Sequence, residues 1–158
     1  MPNKTALRYL TNLLVFLFGG CGCPVTPVPT ATQTPAPIAG LWTAQVEFGA
    51  IRFVMNAPGT GISRIEYDFS GQGMGGTGWN CGSQYVYGVF AFVPGGDDWP
   101  IQQGSFSIST TPPPGSPLKS ILLQGIADAS GSYATGTFRA VTKFEEPCWV
   151  AWSATPVQ

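Results

Sequence analysis

Residues 62–69 read Ile-Ser-Arg-Ile-Glu-Tyr-Asp-Phe, and this stretch decides the fold class. Its charged residues alternate with apolar ones, so that Ile65, Tyr67 and Phe69 share one side. A period of two is the pattern of a β-strand with one face in the core and the other in water. The stretch therefore predicts a half-buried strand in an antiparallel sheet.

Similar short segments recur along the chain with turn signals between them. Residues 41–48 and 51–56 predict a hairpin that turns at Gly49-Ala50. With 21 Gly and 15 Pro the chain is unsuited to helices. We predict about nine short strands in an all-β antiparallel sandwich, the alternative being a small barrel of the lipocalin or avidin type. The remaining predicted strands are 85–93, 105–110, 119–127, 133–143 and 148–154.

Some of these segments carry more specific expectations. Residues 85–93 are apolar on both sides, which predicts a central strand. Gly125 interrupts the strand 119–127 and suggests a bulge there. We assign Trp42, Trp149 and Trp152 to the core.

The N-terminus has the composition of an export signal. Lys4 and Arg8 precede a short apolar run over residues 10–18, and two glycines follow it. The run is shorter than the roughly 20 residues needed to span a bilayer. Residues 1–20 are therefore predicted to be a signal peptide that is removed on export.

Residues 17–21, Leu-Phe-Gly-Gly-Cys, resemble a bacterial lipobox, although Phe18 stands where Leu is usual. The resemblance implies a lipoprotein in which Cys21 is diacylated, and Cys23 is the alternative acceptor. Two acyl chains suffice for stable membrane anchoring. We therefore expect an exported protein in the cell envelope, lipid-anchored to the cell membrane or the outer membrane.

A tether is predicted over residues 21–39, before a domain at 40–158. Five prolines lie within residues 24–37, which excludes helix and favours an extended polyproline II chain. At ~3.1 Å per residue such a segment spans roughly 40 Å. Cys81 and Cys148 are the cysteines of the domain, and an oxidising compartment predicts a disulfide bond between them rather than two free thiols.

Composition excludes several function classes. Charged residues make up 9% of the chain, and beyond residue 20 five basic side chains face eight acidic ones, a net charge of −3. This balance disfavours nucleic-acid binding. The chain has no histidine, which excludes Ser-His-Asp catalysis and zinc sites that use histidine.

The remaining motifs indicate neither an enzyme nor a cofactor. Residues 71–76 match a Gly-x-Gly-x-x-Gly pattern, but no helix follows to receive a pyrophosphate. The acidic pairs Asp97-Asp98 and Glu145-Glu146 lack the spacing of a calcium loop. We expect no catalytic residues, no metal and no cofactor.

The domain resembles an uncharacterised β-domain of bacterial secreted proteins and lipoproteins. The matching pieces are Gly40-Leu41-Trp42, Ile51-x-Phe53-x-Met55, the mid-domain Cys81, residues 104–108, residues 134–138, and the closing Cys148 with Trp152-Ser153-Ala154. The resemblance implies the fold and the disulfide but no activity. Gly40-x-Trp42 is also similar to the opening of lipocalins and avidins, which hold small apolar ligands.

The aromatic residues between positions 79 and 99 are the candidate contact residues. Tyr85, Tyr87 and Trp99 lie in this stretch together with Trp79. If exposed, such rings stack on sugars or anchor protein interfaces, and if buried they belong to the core. Two hypotheses follow: a structural or protein-interaction domain in the envelope, or a binding module for cell-surface glycan or a small apolar ligand.

Overall fold

Antiparallel strands form the regular structure in a computed structural model of the chain, which describes residues 37–73, 76–128 and 130–158. The predicted signal peptide over residues 1–20, the acceptors Cys21 and Cys23 and most of the tether lie outside these residues. In the described part of the chain the strands are β1 (Gly40–Val46), β2 (Gly49–Met55), β3 (Gly61–Asp68), β4 (Gln72–Gly73), β5 (Gly76–Thr77), β6 (Trp79–Cys81), β7 (Gln84–Val86), β8 (Val89–Phe92), β9 (Trp99–Pro100), β10 (Ser105–Thr110), β11 (Leu118–Ala127), β12 (Ala134–Thr142) and β13 (Pro147–Pro156).

One continuous sheet contains all of the long strands. Its order is β10-β11-β12-β13-β1-β2-β3-β8, and β9 also pairs with β3. Every pairing in it is antiparallel. β10 forms one edge of the sheet, and β9 lies beside β3 near the other edge. A tight turn in which Gln102 pairs with Ser105 connects β9 to β10, so the two edges lie close together and the sheet forms a nearly closed barrel. The all-β antiparallel prediction is confirmed.

Aromatic side chains from two sides of the barrel meet in its interior. Phe53 of β2 packs against Phe106 of β10, with ring centroids 5.8 Å apart. Tyr67 of β3 meets Phe138 of β12 at 5.3 Å. The two sides therefore pack face to face as the layers of a sandwich do. Alternation in β3 is confirmed, because Ile65, Tyr67 and the following Phe69 are fully buried.

The packed domain begins before residue 40. Pro37 is buried, and the Ile38 amide donates a hydrogen bond to the carbonyl of Gly131 at 3.0 Å. The Trp42 indole donates to the Ile38 carbonyl at 2.7 Å. Trp42 itself is fully buried, as predicted. Residues 37 and 38, which we placed in the tether, are thus held by the domain.

Gly125 does not form the predicted bulge. It lies in register with Phe106 on one side and Gly136 on the other, and the irregularity in β11 falls between Leu118 and Ser120. A Cβ at Gly125 would come within 2.6 Å of the Trp152 ring. Glycine is therefore required there because the buried Trp152 indole packs directly on the strand.

The predicted central strand over residues 85–93 is wrong. Two strands occupy it, separated at Gly88, whose φ of 105° is a conformation that side chains disfavour. β7 pairs with β6 in a separate hairpin, while β8 pairs only with β3 among the described residues. Val89 and Val93 are consequently exposed.

The first hairpin turns earlier than predicted. Val46 pairs with Gly49, so the turn is Glu47-Phe48 and not Gly49-Ala50. Gly49, at φ 136°, begins β2, and a Cβ on it would clash with the carbonyl of Asp68. The Phe48 side chain is fully buried, so this turn contributes a ring to the core.

Candidate functional site

A short hairpin formed by β6 and β7 covers one end of the barrel. We call it the linked hairpin, because the disulfide between Cys81 and Cys148 joins it to β13, with a Cα–Cα distance of 5.5 Å. The predicted disulfide is thus confirmed. The first residue of the hairpin, Trp79, stacks on Phe69 with centroids 5.8 Å apart, and its indole donates to Glu47 at 3.1 Å.

A carboxylate provides a second link between the same two elements. Glu146, in the turn before Cys148, accepts hydrogen bonds from the Ser83 amide at 2.8 Å and the Ser83 hydroxyl at 2.7 Å. The backbone bond from Ser83, then its hydroxyl bond, lowers the pKa of Glu146. Hydrogen bonding to the charged form explains this direction.

We expect Glu146 to make the domain acid-sensitive. Because its pKa is lowered on folding, its contribution to stability is present above its unfolded value of about 4.5 and is lost as the pH falls through the lower folded value. Thermal melting of Glu146→Gln and the parent protein, measured from pH 7 to pH 3, should converge at the acid end. A constant difference across that range would contradict this role.

The candidate aromatic residues differ in their exposure to solvent. Tyr85 is 53% exposed and Tyr87 is 60% exposed, on either side of buried Val86. Trp99 is half-buried and packs against the core, because it pairs with the inward-facing Ile62 of β3. Trp99 is therefore less available to a ligand than the two tyrosines, and the contact role of the three residues stays a prediction.

The outer face of β10 to β13 is nearly free of charge. We call three cross-strand rows of it the hydroxyl face, since six of their twelve side chains are Ser or Thr and Arg139 is the one charged residue among them. Its neighbours are set by the strand register. Across the four strands the rows are Ser109–Leu122–Arg139–Trp149, Ser107–Gln124–Thr137–Ala151 and Ser105–Ile126–Thr135–Ser153. The next row is Ser120–Val141–Pro147, beside the exposed Lys119.

Trp149 lies on this face and not in the core, so our assignment of it was wrong. The residue is 63% exposed, whereas Trp152 is 4% exposed in the core as predicted. Successive side chains of a strand point to opposite faces, and two residues three apart cannot both point inward. The odd spacing was a signal in the sequence that we did not use.

Arg139 packs beneath the exposed indole. Its guanidinium carbon lies 5.0 Å from the centroid of the Trp149 ring, a cation–π geometry. A shallow depression of about 500 Å³ borders Trp149 on the β1 side and includes Gln45 and Glu47. An exposed ring, a cation and amide and hydroxyl groups therefore occur together at this end of the hydroxyl face.

The outer face of β2 and β3 is different, because its charges are paired with one another. Arg52 bonds Glu66 at 2.8 Å and Asp68 at 3.2 Å, and Arg64 bonds Glu66 at 3.2 Å. The bond from the Ser70 hydroxyl, with further bonds from Ser70 and Arg52, lowers the pKa of Asp68. The carboxylates of this face are engaged within the protein.

No three His, Cys, Asp or Glu side chains among the described residues are grouped to hold a metal ion. Burial raises the pKa of the Tyr67 hydroxyl, which therefore stays neutral in the core. No helix in residues 37–73, 76–128 and 130–158 is long and apolar enough to cross a membrane.

No family model matches the chain, and neither a curated protein nor a solved structure matches it. The resemblance to secreted β-domains therefore stays a prediction, and the site has to be interpreted from its own residues.

Proposed function

We propose that this domain is a non-catalytic binding module for cell-surface glycan. The observation that carries the proposal is the exposed Trp149 on the hydroxyl face, most of whose side chains are uncharged. An aromatic ring stacks on the apolar face of a sugar, while hydroxyl and amide groups bond to the sugar hydroxyls. Few charges are needed for such a contact, in agreement with the 9% of charged residues in the chain.

The proposal includes export and anchoring. The composition of residues 1–20 and the lipobox-like residues 17–21 support a lipoprotein attached through Cys21, or alternatively Cys23. The disulfide between Cys81 and Cys148 supports an oxidising compartment. A short tether would then hold the domain beside envelope polysaccharides.

Substitution of Trp149 tests the glycan contact. The full chain is mixed with insoluble chitin, cellulose or purified peptidoglycan, and the bound fraction is measured after sedimentation. We expect Trp149→Ala to weaken binding about tenfold, corresponding to the loss of one stacking contact of about 1.4 kcal/mol. Phe144→Ala is the control, because Phe144 is 67% exposed in the turn between β12 and β13 and lies off the hydroxyl face. Equal binding by both variants would exclude Trp149 as the contact.

A second candidate is a protein-interaction domain that uses the linked hairpin. The exposure of Tyr85 and Tyr87 favours it, since tyrosine is common at protein interfaces. Cross-linking in the host envelope separates the two functions. A protein partner lost in Tyr87→Ala but kept in Trp149→Ala would favour the hairpin as the contact surface.

A further inference from the structure

Arg139 differs from the other arginines of the domain in its surroundings. Arg52 and Arg64 each form an ion pair, and the Lys119 ammonium pairs with Glu145. Arg139 forms no ion pair with any carboxylate of the described residues. Its Nε is buried and has no hydrogen-bond partner there. A desolvated donor without a partner is unfavourable, and a buried Nε is out of reach of a ligand, so an anion would have to bond to the terminal Nη groups of the guanidinium.

The neighbours of Arg139 also leave room for an anion. The cross-strand neighbours are Leu122 on β11 and Trp149 on β13, neither of which carries a negative charge. Glu47 borders the depression beside Trp149, but it follows β1, whereas Arg139 lies on β12 at the opposite side of β13. The carboxylates of the turn that follows β12 are engaged elsewhere, Glu145 with Lys119 and Glu146 with Ser83, so none of them pairs with Arg139.

The packing of the pair indicates how a ligand would fit. The guanidinium occupies one side of the Trp149 ring, and the indole is still 63% exposed. A sugar stacked on the opposite, open face of the ring reaches Arg139 only through a substituent that extends past the edge of the indole. Guanidinium groups bind carboxylates through two parallel hydrogen bonds, which a neutral hydroxymethyl group cannot accept in the same way.

We propose that Arg139 and Trp149 form a subsite for a carboxylate-bearing sugar, an inference that rests on the glycan-binding function proposed above. The net charge of −3 beyond residue 20 repels polyanions in general. Preference for an acidic glycan therefore requires a local cation. Trp149 provides the surface on which the sugar ring stacks, and the positive charge of Arg139 favours sugars that carry a carboxylate.

Matched polymers test the charge selection separately from glycan binding. The full chain is titrated with polygalacturonate, alginate and hyaluronate, and with the methyl-esterified or carboxyl-reduced form of each. We expect at least one acidic polymer to bind about tenfold more tightly than its neutral form. Arg139→Gln should abolish that preference, measured as the ratio of the affinities for the acidic and the neutral form within the same variant, because loss of the contact with Trp149 can change both affinities together. Lys143→Gln, which removes an exposed positive charge outside the hydroxyl face, should retain the preference.

Other outcomes are decisive as well. Equal binding of acidic and neutral forms by the parent protein overturns the carboxylate subsite while glycan binding stands, whereas failure to bind any polymer overturns both proposals. Tighter binding to polyglycerol phosphate than to every carboxylated polymer assigns Arg139 to phosphate and overturns the carboxylate assignment. If Arg139→Gln does not fold, Arg139→Lys is the second variant. It keeps the positive charge but lacks the planar guanidinium that donates two parallel hydrogen bonds, so it should retain only part of the preference for acidic polymers.

Discussion

Replacing both Cys81 and Cys148 with serine is expected to lower the free energy of unfolding by about 4 kcal/mol. The disulfide joins residues 67 positions apart, and without it the unfolded chain gains the entropy of an open loop. Domains of this size are stable by about 5–15 kcal/mol. The bond therefore accounts for a large fraction of the total.

Urea unfolding followed by tryptophan fluorescence measures this loss. The fluorescence of buried Trp79 should respond, because the linked hairpin loses its covalent attachment to β13. Ser83→Ala is the control, since it removes the hydroxyl bond to Glu146 and leaves the disulfide intact. A double serine variant as stable as the parent protein would show that side-chain packing alone fixes the hairpin.

Phe138→Ala is expected to destabilise the domain by about 3–5 kcal/mol, the usual cost of deleting a buried ring. Phe138 is fully buried, and its ring centroid lies 4.9 Å from that of Phe48 and 5.7 Å from that of Trp79. It connects the strands of one side of the barrel to the linked hairpin on its end. Its removal leaves a cavity that several other rings border.

Phe144→Ala is the matched control for this variant. It deletes the same side chain from an exposed site in a turn, so its effect should stay within about 0.5 kcal/mol. Chemical denaturation of both variants gives the comparison directly. Similar losses of stability in both would contradict the assignment of Phe138 to the centre of the core.

Strands with one solvent-exposed face were predictable, because the alternation of apolar and polar residues is visible within the strand itself. Residues 105–110 place Phe106 and Ile108 inward and serines outward, as their spacing indicates. The break at Gly88 was not predictable in this way. The apolar residues on both sides of it suggest burial, whereas the backbone conformation of one glycine divides the segment.

The candidate site was less accessible to sequence reasoning than the fold. The odd spacing between Trp149 and Trp152 in the sequence indicates that their side chains point to opposite faces of the strand. Arg139, which packs against Trp149, lies ten residues earlier in the sequence. The two meet only because β12 and β13 pair in a register that brings them opposite each other. Strand register depends on the packing of the whole sheet, so no local pattern identifies this pair.

The direction in which the chain enters the barrel sets which end meets the surroundings. The domain begins at Pro37 beside Trp42, where the Val157 amide also bonds the Leu41 carbonyl at 2.8 Å. β1 then runs the length of the barrel, about 20 Å for a strand of this size, before reaching Glu47 and the linked hairpin. If the chain is attached through its N-terminus as we propose, the domain has a base and a tip, and Trp149 lies near the tip.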